Sequence, residues 1–259
     1  MRIDIHVNER AQLKSPIVVC GLPGAAFVGK FALDHLIGEL GAKPLAEFYS
    51  GGFPPQITVG EDGVGRPVRN VLFYWRNTAG GENDLILYTG DSQPTEAESE
   101  YELSDSVIDF LIKEHNVRRL ITLGAYVTGS TTVSPKVYAA ATDQNAAQVV
   151  EANGCKLMTD GAITGMNGLL LGIARLKGLS GYALLGETSG LSFDAKASEA
   201  ILNVLSNLIG LKLDYAKLEQ RASEAQEAVR AIEAIRRGQN PEPGSGRGST
   251  TGKRLDYIS

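Results

Sequence analysis

Little in this chain invites redox or metal chemistry. It has two cysteines, Cys20 and Cys155, both among apolar or small residues and neither with a Cys or His companion at metal-ligand spacing. No disulfide framework is indicated, and a reducing compartment fits better. Histidine is scarce as well: His6 lies near the N-terminus, His35 within a helical pattern and His115 at a helix end. None stands beside a carboxylate in a way that marks a triad, and His115 sits where a helix C-terminus favours positive charge. No uninterrupted apolar run reaches the ~20 residues that a membrane span requires. The opening MRIDIHVNER holds no apolar segment of the signal-peptide kind. The net charge is −5 with both signs scattered, so the clustered Lys and Arg of a nucleic-acid surface are missing. These absences predict a cytoplasmic protein with no metal, cofactor, nucleic acid or membrane among its partners.

What the chain does have is glycine, 30 residues of it, and enough apolar content, 43%, for a large buried core in 259 residues. From Pro16 to about Leu211, short apolar runs alternate with helical patterns. PIVVCG reads as a strand buried on both faces, followed by a helix from Gly24 to Leu40. LAEFY and QITV read as strands, and NVLFYWR with DLILYTG as a neighbouring pair around the GGEND turn. PTEAESEYELSDSVIDFLIKEHN reads as a helix with Ser92 as N-cap and Pro94 in its first turn; Leu103, Val107, Ile108, Leu111 and Ile112 form its buried stripe. RRLITLGAY, KLMTDG and GYALLGET are further strands, TDQNAAQVVEANG and GMNGLLLGIARLKG further helices. This rhythm predicts an α/β fold: a mixed, mainly parallel twisted sheet with helices on both faces.

The character changes after residue 211. Leu211, Tyr215, Leu218, Ala222, Ala225, Val229 and Ile232 recur at intervals of four and three. Such a stripe serves either packing on the helix's own domain or self-association, in which Leu218, Val229 and Ile232 would be the contacts. Residues 238–259, opening with GQNPEPGSGRGSTTGK, have the composition of a flexible tether that ends in RLDYIS. The expected organisation is therefore a core over 1–211, a heptad helix over 212–237 and a tail over 238–259, whose terminal apolar residues suggest a docking peptide.

Two catalytic motifs fail on inspection. Gly24 and Gly29-Lys30 match the spacing of a phosphate-binding loop, but Phe31 replaces the hydroxyl residue that would hold Mg²⁺, and Pro23 removes an N–H. Gly21 and Gly24 are better read as forming a tight strand-to-helix turn, with Gly29 permitting close helix-to-sheet packing. YTGDSQPT begins like a nucleophile elbow, but Pro94 occupies the second glycine position. One constellation remains. Gly24, Asp91, Tyr126, Thr128 and Glu187 all lie in loops after apolar strands, where open α/β sheets bind ligands. They either line a polar crevice or cap helices and satisfy backbone groups.

Several segments taken in order resemble the archaeal branch of the proteasome assembly chaperone 2 family: GLPGAAFVGK, SGGFPPQITV, LYTGDSQPTEAESEYELSDSVIDF, TLGAY with SPKVYAAAT, GAITGMNGLLLGIA and LLGETSG. The resemblance implies a fold similar to purine nucleoside phosphorylases but no enzymatic activity. It also implies assembly into homo-oligomers and binding to the α subunits of the 20S proteasome. Family members often dock through a tail ending hydrophobic-tyrosine-any residue, so the resemblance points to Leu255, Tyr257, Ile258 and Ser259. Here the tyrosine stands one place early, Ile258 is penultimate, and Asp256 replaces the preceding hydrophobe. The alternative function is that of a small-molecule, nucleoside-like binding protein or enzyme acting in the crevice.

Overall fold

A computed structural model describes residues 2–60, 62–78, 81–130, 132–190, 193–215, 218 and 220. β1 (Ile3–Val7) is followed by β2 (Ile17–Cys20), a 3-10 turn (Ala25–Phe27) and α1 (Val28–Leu40). Next come β3 (Lys43–Ser50), β4 (Ile57–Val59), β5 (Gly65–Pro67), β6 (Asn70–Trp75) and β7 (Leu85–Gly90). The chain continues through α2 (Ala97–His115), β8 (Arg119–Val127), β9 (Val137–Ala141), α3 (Gln144–Ala152) and β10 (Lys156–Leu157). It then runs through α4 (Gly165–Leu176), β11 (Ser180–Thr188) and α5 (Ala195–Ile209).

Among the described residues, nine strands form one mixed sheet in the order β1-β3-β6-β7-β2-β8-β11-β9-β10. Its centre is parallel: β2 pairs with β7 on one side and β8 on the other, and β8 pairs with β11 along its whole length. These strands are Val/Ile/Leu-rich and buried on both faces, as a parallel strand covered by helices must be. Side chains alternate between two cores. Val18, Ile86 and Leu120 pack with α2 and α4 on one face; Val19, Leu87, Ile121 and Leu123 pack with α1, α3 and α5 on the other. The α/β architecture expected from the sequence is the one observed.

Local chemistry sets the element ends. Asp143 and Asp194 cap α3 and α5 by accepting hydrogen bonds from the N–H groups of Ala146 and Ala197. Gly41, at φ +59°, ends α1 in the left-handed region, where glycine carries no Cβ penalty. Asp84 pins the entry to β7, its carboxylate accepting from the N–H groups of Lys14 at 2.7 Å and Asn77 at 2.8 Å.

The structure differs from expectation in four places. α2 starts at Ala97 with Glu96 as its N-cap, so Ser92 and Pro94 belong to the loop before it. Ser92 instead bonds the carbonyl of Gln93 through its hydroxyl. The helix expected from Gly24 is broken at its start, because Ala26 and Phe27 hold φ of 49° and 54°. QITV leaves the main sheet to pair with β5 in a two-stranded ribbon. β1, β5 and β9 are additional strands.

Candidate functional site

The carboxyl ends of β2 and β7, with the later part of β8, meet the starts of α1 and α4 around a cavity of about 170 Å³. Leu22, Gly24, Gln93, Gly124, Asn167 and Leu185 are among its walls. Gln93 holds the rim together: its Nε2 donates to the Pro23 carbonyl at 2.5 Å, and its Oε1 accepts from the Met166 N–H at 2.7 Å. One amide side chain thus ties the loops after β2 and β7 to the first turn of α4. Gly165 makes this possible, since a Cβ there would lie 2.8 Å from Gln93 Oε1 and the residue holds φ +72°.

Of the residues expected in the crevice, Gly24 lines this cavity. The other four stand outside it, each engaged elsewhere. Asp91 Oδ2 accepts from Arg66 Nη1 at 2.8 Å and from the Arg69 N–H at 3.1 Å, securing the loop before β6. Tyr126 stacks on Tyr138 with ring centroids 3.8 Å apart. The Thr128 N–H bonds the Thr188 carbonyl at 2.9 Å, and Glu187 accepts from the Lys136 N–H at 3.1 Å. Tyr126 and Glu187 stand within β8 and β11, not in the loops after them, and the four residues satisfy neighbouring backbone groups, pair with Arg66 or pack on a ring instead of converging.

The sequence marks the loop from Asp91 to Gln93 without singling out Gln93, and it gives Asn167 no role. Asn167 had a signal: a polar residue in the apolar helix GMNGLLLGIA, on a face that packs inward.

The glycine loop has a structural role. A Cβ on Gly21 would lie 2.3 Å from the Gly29 carbonyl oxygen, and one on Gly29 would lie 2.1 Å from the Leu123 carbonyl oxygen. Both glycines are there for close approach of helix to sheet. Lys30, the would-be phosphate lysine, is bound to both carboxylate oxygens of Asp34 at 2.6 Å.

No cysteine is poised as a nucleophile. Burial pushes the Cys155 thiol up to about 11 and the Cys20 thiol higher still. The expected result with a thiol-specific reagent at neutral pH is negligible labelling of the native protein and two labelled thiols after denaturation. Rapid native labelling would contradict the burial of these residues. His115 also departs from expectation: burial lowers its imidazole despite the raising influence of Glu114, so the charged form suggested by its helix-end position is disfavoured. Among the described residues, no group of three or more His, Cys, Asp or Glu could hold a metal ion, and no helix is long and apolar enough to cross a membrane.

The heptad residues divide. Leu211 and Tyr215 pack against the α1/α5 core, and Leu218 is buried in it at 1% exposure. His35 Nε2 lies 2.7 Å from the Asp214 carbonyl, and the Tyr215 hydroxyl lies 3.0 Å from Ser206 Oγ. Of the two roles open to the stripe, Leu218 fits packing on its own domain. Val229 and Ile232 lie outside the described residues, as do Leu255, Tyr257, Ile258 and Ser259.

The topology and the strand-end cavity define an open mixed-sheet α/β protein with parallel strands at its centre. The chain belongs to the PAC2 family, whose family model matches residues 18–233. It is similar to Pyrococcus furiosus PbaB, described as an archaeal proteasome activator: 36% identity, TM-score 0.81, covering 89% of this chain and 98% of that one. It is also similar to PbaA of the same organism, an archaeal homolog of proteasome-assembly chaperone, at 26% identity and TM-score 0.75, covering 92% of this chain and 99% of that one. An uncharacterised protein of Methanocaldococcus jannaschii is 29% identical over 227 residues, 87% of this chain and 86% of the relative.

Proposed function

We propose that the chain is a non-enzymatic, homo-oligomeric assembly factor of the cytoplasm that binds the α subunits of the 20S proteasome through its C-terminal tail. The similarity to PbaB, at 36% identity over nearly the whole of both chains, carries this reading. Its non-enzymatic part draws support from Asp91 and Glu187, the carboxylates that a catalytic crevice would use, which instead hold the backbone at Arg69 and Lys136.

In this reading residues 1–211 form the body, 212–237 a helix and 238–259 a tether carrying Leu255, Tyr257, Ile258 and Ser259 to the ring. Each buried apolar or aromatic side chain would contribute roughly 1.5–3 kcal/mol before ordering costs. A single tail would bind weakly. A flexible tether of this length spans about 20 Å root-mean-square. Several such tails on one oligomer would gain on the order of 10²–10⁴-fold by avidity. With Leu218 used internally, association falls to Val229 and Ile232 or to the folded body. The test is retention of purified 20S α-subunit rings by the immobilised full-length chain: retention is expected, and its absence would overturn the reading.

A further inference from the structure

We propose that the free edge of β1 docks a second copy of this chain: the two β1 strands pair antiparallel about a two-fold axis through Ile5 and join the two sheets edge to edge. The inference rests on the homo-oligomeric reading above and gives that reading an interface.

The backbone points to it first. β1 stands at one end of the nine-stranded sheet and pairs with β3 alone. The Arg2 carbonyl accepts from the Gly51 N–H at 3.5 Å, and the Asn8 N–H donates to the Leu45 carbonyl at 2.9 Å. Both bonds extend the β1–β3 register. In an antiparallel pair, successive residues turn their N–H and C=O alternately toward the partner strand and away from it. Arg2, Asp4, His6 and Asn8 therefore face β3, while Ile3, Ile5 and Val7 direct both groups outward. Among the described residues, no element pairs with that outer edge.

The side chains leave the edge open to pairing. Sheet edges are ordinarily guarded by lysine, proline, a bulge or short length. β10, at the other end of the sheet, is guarded: it is two residues long and carries Lys156. β1 has five residues in unbroken register and neither lysine nor proline. Ile5 is 36% and Val7 51% exposed. On the same side of the strand, Ile3 and Ile5 line a groove of about 850 Å³ beside α2, whose walls also expose Tyr101 and Leu176.

The strand is complementary to itself in one register. An axis through Ile5 pairs Ile5 with Ile5 and Ile3 with Val7, so all three outward residues exchange hydrogen bonds and the apolar row continues across the axis. It also sets Asp4 directly opposite His6 of the second copy. Asp4 uses Oδ1 for the exposed Arg2 Nε at 2.9 Å, which leaves Oδ2 for that imidazole. An axis through Asp4 would instead oppose two carboxylates, which is destabilising, and an axis through His6 would leave Ile3 unpaired.

The experiment uses the full-length chain. Ile5→Pro removes an N–H that faces away from β3, so the β1–β3 ladder is kept while the pairing between copies is lost. Sedimentation should show the mass of the species falling to roughly half, as loss of one two-fold interface requires. In a second test, Asp4→Cys and His6→Cys chains are produced together in one cell and oxidised. Cys20 and Cys155 are buried and do not compete. Mass spectrometry should find disulfides joining position 4 of one chain to position 6 of another. Links from 4 to 4 or 6 to 6 are not expected, because those Cα atoms would stand farther apart than the ~7 Å a disulfide spans. Unchanged mass in Ile5→Pro that is folded by circular dichroism, or 4-to-4 links in place of 4-to-6 links, would overturn the interface and leave the homo-oligomeric reading standing. If Ile5→Pro does not fold, the linked pair decides alone, and its absence overturns the interface. A monomeric wild type would overturn both.

Discussion

Gly29→Ala should destabilise the protein by about 3 kcal/mol, the upper part of the range for inserting a methyl group into a filled space. The added Cβ would lie 2.1 Å from the Leu123 carbonyl oxygen, 2.7 Å from its carbon and 3.2 Å from the Gly124 nitrogen. All three are backbone atoms of β8, which is held by β2 on one side and β11 on the other. No side chain can swing aside, so α1 must move away from the sheet. That movement disrupts the packing of Val28, Ala32, Leu33 and Leu36 in the same core. The better helix propensity of alanine returns only about 1 kcal/mol. Thermal unfolding should shift down by about 6–12 °C, taking ~2–4 °C per kcal/mol for a domain of this size. An unchanged or raised midpoint would show that helix and sheet are not in the contact described.

Leu218→Ala should cost about 2–5 kcal/mol of stability, as for other large-to-small changes in a filled core, while leaving the sedimentation coefficient unchanged. Leu218 is 1% exposed and packs in the cluster that holds α1 and α5. The segment leading to it is fixed by the contact of His35 with the Asp214 carbonyl and by the stacking of His35 and Tyr215. Denaturant unfolding gives the stability change, and sedimentation velocity gives the assembly. A shift to smaller species with unaltered unfolding would reverse the assignment and return Leu218 to an interface between copies.

The parts of this fold that could be read from sequence are those where periodicity and burial agree. IVVC and LILYTG are continuous apolar runs because helices cover both faces of the sheet, and α2 shows its stripe at Leu103, Val107, Ile108 and Leu111 because its other face is wet. β1 escaped because it is an edge strand with an exposed, mixed sequence, and β9 because alanines dominate VYAAA. The site was legible only to the level of loops. The rule that ligands meet open sheets at strand carboxyl ends located the region. Which side chains turn inward depends on the register of β8 and the placement of α4, and neither is encoded in local spacing. Hence Asp91 and Glu187 attract attention in the sequence, while Gln93 and Asn167, with three strands between them along the chain, come together only in the structure.

The central claim is that the tail brings this protein to the proteasome. Its most direct measurement compares the full-length chain with one ending at Arg237, both immobilised, for retention of 20S α-subunit rings at low and moderate salt. Retention by the full chain and loss by the shortened one, with folding and oligomeric size preserved, is the predicted result. Equal retention by both would place the contact on the folded body and contradict the role given to Leu255, Tyr257, Ile258 and Ser259.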